Sequence, residues 1–290
     1  MNATSYFVQS YAKINLTLDV LGKRADGYHE LATVMQTIDL YDTICLLATN
    51  EDRVSIACNR SELSTDDNLV VRAAQEIRKR LGLTRGVLIE LHKRIPVAAG
   101  LGGGSGNAAA ILLALQRWWQ LPLTANDLWS IAAELGSDIP FFLTGGLALC
   151  EGRGEQITPM APYWPSSMRW ILLLKPAIAV STATVFRNLK ASDYSNGTWS
   201  KTVQTALQTK SLLQPADLHN SLERGVIEQY TEVAQARVAM LEAGAEYVRL
   251  SGSGPTLFTM FSTLTDAINV QQKLLMLGYE VYLTRPIYPG

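Results

Sequence analysis

Residues 96–110 read PVAAGLGGGSGNAAA. Pro96, Val97, Ala98, Ala99, Gly100, Leu101, Gly102, Gly103, Gly104, Ser105 and Gly106 make a stretch nearly bare of large side chains, and an alanine-rich apolar run follows directly. The preceding GVLIELHKRIP (86–96) reads as a strand, and from Asn107 to Trp119 the residues Ala110, Ile111, Ala114, Leu115 and Trp118 keep helical spacing. Strand, glycine loop and helix are the order that an anion site needs. Backbone N–H groups face the ligand, a helix N-terminus stands behind them, and glycine lets the loop take positive φ and lets phosphate approach the main chain. A flexible turn or tight helix packing is the plainer alternative; the density of glycine directly before a helix favours phosphate.

The kind of phosphate loop is narrowed by what is missing. A Walker A loop requires GxxxxGK[ST], and no lysine follows these glycines. A dinucleotide fingerprint fits loosely as Gly104-x-Gly106-x-x-Ala109, but its ribose-binding acid falls at Asp127, in a helix start after Asn126 rather than at a strand end. An NAD(P)-dependent oxidoreductase is therefore the runner-up class.

The rest of the chain sets the frame. Its 290 residues suffice for one large or two ordinary domains, and 48% hydrophobic with 18% charged residues supports a sizeable core. A formal net charge of −1 without any basic run leaves no electrostatic case for nucleic acid. Cys45, Cys58 and Cys150 are scattered and form no CxxC pair, which suits a reducing compartment. The start MNATSYFVQSYAKINLTLDV lacks the basic opening and long apolar run of a signal peptide, and WILLLKPAIAV (170–180) is too short to span a bilayer. The expectation is a cytoplasmic protein without membrane or nucleic-acid partners, acting on a small molecule as a monomer or weak homodimer.

Strands are expected at SYAKINLTLDVL (10–21), LATVMQTIDL, DTICLLA and VSIAC (54–58), with helices over 66–82 and 124–136. After the proline-rich Pro159–Pro165 come a strand (WILLLKP), helical runs over 201–213 and 221–243, a strand–turn–strand at YVRLSGSGPTLFTMF (247–261), a helix over 266–277 and a last strand. The order is mixed α+β in two domains, 1–158 and 159–290, and not the repeat of a doubly wound sheet.

The loop resembles the PxxxGLGxSxxxAA phosphate loop of the GHMP kinases, the family of galactokinase, homoserine kinase and mevalonate kinase. AKINLTLDVLGKRADGYHEL (12–31), LGSDIPFFLTGG (135–146), EGRGEQITP (151–159) and LSGSGPTLF (250–258) occur in the order and spacing of one branch of that family, and DGYHEL separates this branch from the others. The resemblance covers nearly the whole chain. It implies a two-domain GHMP kinase fold with nucleotide and substrate in the cleft between domains. It also implies ATP-dependent phosphorylation of the 2-hydroxyl of 4-diphosphocytidyl-2-C-methyl-D-erythritol, in the non-mevalonate route to isoprenoid precursors. A homoserine- or mevalonate-type acceptor is the alternative within the family. Mg2+ would bridge the ATP phosphates; the sequence shows no dedicated cage of carboxylates, and no metal ligand is assigned.

By the same resemblance, residues 96–106 bind the ATP phosphates, Asn68 in DDNLV lies near the adenine, and Lys13 and Asp138 form the catalytic pair. Asn68 could equally cap the following helix; Lys13 could be a strand-edge lysine, and Asp138 a cap before Ile139-Pro140. Lys93, on the strand entering the loop, could approach the nucleotide. For the cytidine, Tyr28 offers a stacking face and His29 a polar edge, with Phe186 in STATVF on the other face and Thr182 nearby. Asn15 lies one alternate position beyond Lys13 on the same strand face and could hold the methylerythritol or its phosphates. His92 and His219 read as structural. Two departures stand out: Gly106 replaces the second serine of the usual GGGSSN, and NSLE (220–223) stands where the family writes NDLE. SGSGPT (251–256) is either a turn packed against the substrate or a structural hairpin.

Overall fold

The computed structural model describes residues 5–288. These pack as two compact units interleaved along the sequence. The first comprises the N-terminal stretch through Ala12, Leu40–Ile95 and Gly102–Thr144; the second comprises Lys13–Asp39, Pro96–Leu101 and the chain from Gly145 onward. The interleaving arises because two long strands, β1 (Ser5–Lys23) and β2 (His29–Thr49), each contribute to both units. The 158/159 boundary expected from the sequence falls inside the second unit.

The first unit adds β3 (Val54–Cys58), α1 (Leu69–Leu81), β4 (Gly86–His92), α2 (Gly103–Trp118), α3 (Ala125–Leu135) and the short α4 (Ile139–Thr144). β4 pairs antiparallel with the C-terminal part of β2, Thr43 opposite His92 through Thr49 opposite Gly86, and parallel with β3. The core joins Ile44, Leu46, Ile89 and Leu91 from the strands to Val70 and Ile77 of α1, Ile111 and Leu115 of α2, and Leu128 and Ile131 of α3. Burying each such side chain contributes roughly 1.5–3 kcal/mol. α1 ends at Gly82, whose φ of 60° closes the helix, with Arg78, Lys79 and Arg80 in the last turn against the negative end of the dipole. α3 opens on a capping box between Thr124 and Asp127. Asp127 is thereby committed to the helix, which removes the acid that the dinucleotide reading needed.

The second unit adds β5 (Leu147–Gly152), β6 (Gln156–Pro159), β7 (Trp170–Lys175), α5 (Thr182–Arg187), α6 (Thr198–Thr209), β8 (His219–Asn220), α7 (Glu223–Gln229), α8 (Thr231–Ala243), β9 (Arg249–Leu250), β10 (Leu257–Phe261), α9 (Leu264–Met276) and β11 (Glu280–Thr284). One of its sheets runs β6-β5-β2-β1-β8, with β8 parallel to β1 (Thr17 opposite His219) and β5 antiparallel to β2 (Leu31 opposite Gly152). The other, β11-β7-β10-β9, is antiparallel throughout and packs Leu172, Leu174 and Leu257 against Val233 and Met240 of α8 and Val270 and Leu274 of α9.

Three elements differ from the sequence expectation. LATVMQTIDL and DTICLLA form one continuous strand, because the junction Leu40-Tyr41-Asp42 holds no glycine or proline to turn it. The run 221–243 is two helices, broken where Tyr230 leaves helical geometry at φ −119°, ψ 102°. The helix after the glycines begins at Gly103, not Asn107, so the glycines are its first turn.

Candidate active site

The loop entering α2 alternates its backbone. Ala98 (φ 51°), Gly100 (φ 73°) and Gly102 (φ 69°) are left-handed, and Ala99 and Leu101 between them do not have positive φ. Alternation of this kind turns successive N–H groups toward a common centre, the geometry of an anion nest. Ala98 holds that conformation against a cost of about 1–2 kcal/mol for an L-residue. Gly100 has no alternative: a Cβ there would lie 2.2 Å from the Ser251 carbonyl oxygen. Gly103 would meet Ile95 Cγ2 at 2.9 Å and Lys93 Nζ at 3.1 Å. The first-turn N–H groups of α2 have no intrahelical acceptor and carry the positive end of the helix dipole.

The same geometry explains one departure from the family pattern. A Cβ at Gly106 would stand 2.9 Å from the Tyr11 carbonyl oxygen and 3.0 Å from Ser10 Oγ. Position 106 is thus a contact of α2 with β1, where the missing side chain permits close packing. Ser105, half-buried one residue earlier, is the hydroxyl that remains in the turn.

In the second unit the backbone N–H of Lys13 donates to the Leu101 carbonyl at 3.0 Å, tying the catalytic candidate to the loop. Lys13 Nζ donates to Asn15 Oδ1 at 2.6 Å, and both side chains are buried. The SGSGPT turn lies against them. Gly252 adopts φ 57°, and a Cβ there would sit 3.2 Å from Asn15 Oδ1 and 3.3 Å from Lys13 Nζ. Ser251 Oγ donates to the Gly100 carbonyl at 3.1 Å, and Ser253 Oγ is 2.7 Å from Thr182 Oγ1. The turn therefore joins the glycine loop, the Lys13–Asn15 pair and Thr182.

NSLE finds its place here as well. Asn220 Nδ2 donates to the carbonyls of Leu250 (2.9 Å) and Gly252 (2.8 Å), while Glu223 Oε2 accepts the Leu250 N–H at 2.7 Å. Both residues brace the turn from behind. Burial pushes the Glu223 carboxyl up, opposed by the Leu250 N–H and by Arg249. The departure from NDLE falls on Ser221, whose Oγ accepts the Val20 N–H at 3.2 Å.

The cytidine candidates form a second cluster of the same unit. The rings of His29 and Phe186 lie 5.3 Å apart, centroid to centroid, and Tyr194 stands 6.0 Å from His29 edge-on. Tyr28 is exposed, with the Arg153 guanidinium 4.9 Å over its ring and its backbone N–H held by Asp26 Oδ1 at 3.1 Å. Burial, and secondarily the charge of Lys23, push the His29 pKa below the ordinary histidine value. His29 is consequently neutral at pH 7, with one ring nitrogen donating and the other accepting. Arg153 and Tyr194 were not assigned from sequence. Arg153 lay within the EGRGEQITP motif and was the recoverable one; Tyr194 carries no local signal.

Asp138 and Asn68 lie in the first unit. Asp138 is half-buried and immediately precedes α4. Asn68 caps α1, its Oδ1 accepting the Val70 N–H at 3.1 Å and its Nδ2 donating to the Leu63 carbonyl at 2.8 Å. Lys93 is buried in an ion pair with Asp42 and donates to Asn107 Oδ1 at 3.1 Å. His92 is exposed at the end of β4, and His219 stacks on Trp199 at 5.1 Å, its pKa lowered by burial. Among the described residues no group of three or more His, Cys, Asp or Glu could hold a metal ion, and no helix is long and apolar enough to cross a membrane.

Comparison with known proteins gives the family. The family model for the GHMP kinases N terminal domain matches residues 68–146, and that for the GHMP kinases C terminal matches residues 204–277. The 4-diphosphocytidyl-2-C-methyl-D-erythritol kinase of Alkaliphilus metalliredigens (strain QYMF) is 40% identical over 280 residues, 96% of this chain and 95% of that protein. A crystal structure of 4-(cytidine 5'-diphospho)-2C-methyl-D-erythritol kinase superposes with a TM-score of 0.82 at 30% identity, covering 98% of this chain and 100% of that one. Homoserine kinase from Cytophaga hutchinsonii ATCC 33406 reaches a TM-score of 0.76 at 18% identity over 100% of this chain and 97% of its own, a likeness of fold.

Proposed function

The chain belongs to the 4-diphosphocytidyl-2-C-methyl-D-erythritol kinases of the GHMP kinase family, and from that premise we propose how its residues move the γ-phosphoryl group of ATP to the acceptor's 2-hydroxyl. One observation supports the cytidine-bearing acceptor: the rings of Phe186 and Tyr194 lie against that of His29, with Tyr28 next to it in the chain under Arg153. Such a cluster can stack a pyrimidine and read its polar edge. A kinase for homoserine or mevalonate has no base to hold.

The donor side is residues 96–106. Their alternating backbone and the first turn of α2 supply N–H groups for the triphosphate, with Asn68 near the adenine at the start of α1. Among the described residues no group of three or more His, Cys, Asp or Glu forms a cage; Ser105 is the side chain of this turn that would help hold Mg2+, which would neutralise charge on the ATP phosphates. On the acceptor side Asp138 takes the hydroxyl proton as the new P–O bond forms. Lys13 orients that hydroxyl and offsets charge on the transferring group. Asn15 and Thr182 hold the methylerythritol diphosphate. The reaction takes place in the cytoplasm, in a monomer or weak homodimer.

ADP release measured with the cytidyl compound, homoserine, mevalonate and galactose tests this reading. Turnover is expected with the cytidyl compound alone, and a Tyr28→Ala variant should raise its KM. Turnover with another alcohol would retain the fold and discard the acceptor; none with any would reduce the loop to a binding site.

His29 adds a pH dependence of known sign. Its pKa lies below the ordinary 6.5, so the ring stays neutral from pH 8 through 7. Acidification through its lowered pKa protonates the ring and removes the accepting nitrogen. The acceptor KM should be flat above pH 7 and rise below about 6.5. In His29→Gln the rise should vanish, with KM already elevated at neutral pH.

A further inference from the structure

Every second residue of β1 from Lys13 to Asp19 is polar, and all four side chains (Lys13, Asn15, Thr17 and Asp19) are buried on the same strand face. Polar groups removed from water need partners, and these form an ordered hydrogen-bond sequence. Lys13 Nζ donates to Asn15 Oδ1 at 2.6 Å, and Asn15 Nδ2 donates to Thr33 Oγ1 at 2.8 Å. Thr33 Oγ1 gives its own proton to the Thr17 carbonyl at 2.5 Å.

A hydroxyl has one proton, so a Thr33 already donating to Thr17 can only accept from Asn15. The Asn15 amide is then fixed with nitrogen toward Thr33 and oxygen toward the ammonium of Lys13. Reversed, it would set donor against donor at the lysine and oxygen against a proton-less oxygen at the threonine. The site of Thr33 is itself held, since the neighbouring Val34 N–H donates to Thr17 Oγ1 at 3.1 Å, and Thr17 Oγ1 meets Ser200 Oγ at 2.9 Å. Ser200 Oγ in turn donates to Asp19 at 2.6 Å.

We propose that Thr33 is a positioning residue for phosphoryl transfer: through Asn15 it fixes where the Lys13 ammonium stands against the acceptor hydroxyl. This rests on the assignment of Lys13 and Asn15 to the acceptor site. Thr33 acts from behind Asn15, and its hydroxyl is what the role requires.

The test compares Thr33→Val, which keeps shape and removes the hydroxyl, with Thr33→Ser, which keeps the hydroxyl, each alone and on an Asn15→Ala background. Thr33→Val should lower kcat by about ten- to a hundredfold. Its KM for ATP should stay within about twofold of wild type. Thr33→Ser should restore turnover. On the Asn15→Ala background Thr33→Val should have no further effect, because the route through Asn15 is already gone. If the valine variant does not fold, Thr33→Ala removes the same acceptor and replaces it. Wild-type kcat in the hydroxyl-free variant overturns the proposal. So do losses that multiply on the Asn15→Ala background, which would assign Thr33 a separate structural effect. Lys13→Met, measured alongside, separates the two levels: retained turnover there sinks the lysine assignment itself, whatever Thr33 does.

Discussion

Asp138→Asn should lower kcat by about 10²- to 10⁴-fold, the range over which positioned acid–base groups act, while the KM for ATP and the thermal midpoint hold. Asparagine keeps the size and the hydrogen-bonding oxygen of aspartate and loses only the capacity to take a proton. Asp138 stands half-buried immediately ahead of α4, and its alternative duty is to cap that helix before Ile139-Pro140. Asparagine is as good a cap as aspartate, so the substitution discriminates cleanly between the two duties. A loose transition state asks little of the base, because most bond breaking precedes nucleophile attack and the proton leaves late. The check is steady-state turnover beside a melting curve. Near-wild-type kcat would return Asp138 to the helix cap, and a loss of kcat with a fallen melting point would make the effect one of folding.

How much of this was legible in sequence varied with the range of the interactions. The strand–glycine loop–helix order was legible because its backbone demand is local: glycine where φ is positive, a strand before and a helix after. Its helical first turn was not, because glycine is a poor helix former and only the closeness of Tyr11 O to Gly106, and of Ile95 to Gly103, explains glycine there. The alternation of β1 identified a strand and put Lys13 and Asn15 on one face. The partners of that face were not legible: Thr33 bonds Asn15, and Ser200 lies 183 residues from the Thr17 it bonds. The brace that Asn220 and Glu223 form could not be read from NSLE itself, because their partners, Leu250 and Gly252, lie some thirty positions away. The interleaved units were equally hidden. Composition marks a linker, and no linker exists where two strands run on from one unit to the next.

Asp42→Ala should cost about 3–5 kcal/mol of stability, the penalty for stranding one member of a buried ion pair and a large share of the roughly 5–15 kcal/mol that holds a domain together. The Asp42 carboxylate is wholly buried. Its Oδ1 accepts the backbone N–H groups of Arg94 (2.7 Å) and Ile95 (2.8 Å), and its Oδ2 accepts Lys93 Nζ (2.5 Å) and Asn107 Nδ2 (2.9 Å). One side chain of β2 thereby anchors the end of the β4 connection and the first turns of α2, fixing where the glycine loop begins. Removing it strips the buried ammonium of its counter-charge, leaving it Asn107 Oδ1, and takes the acceptor from the Arg94 and Ile95 N–H groups and from Asn107 Nδ2. Lys93→Met should cost less, since the carboxylate keeps three donors and methionine fills the volume. Denaturant unfolding of both variants measures this order, with the KM for ATP expected to rise in Asp42→Ala as the loop loses its footing. If Lys93→Met proves the more damaging, the carboxylate's backbone bonds are not what organises the loop, and the lysine contributes more than charge pairing.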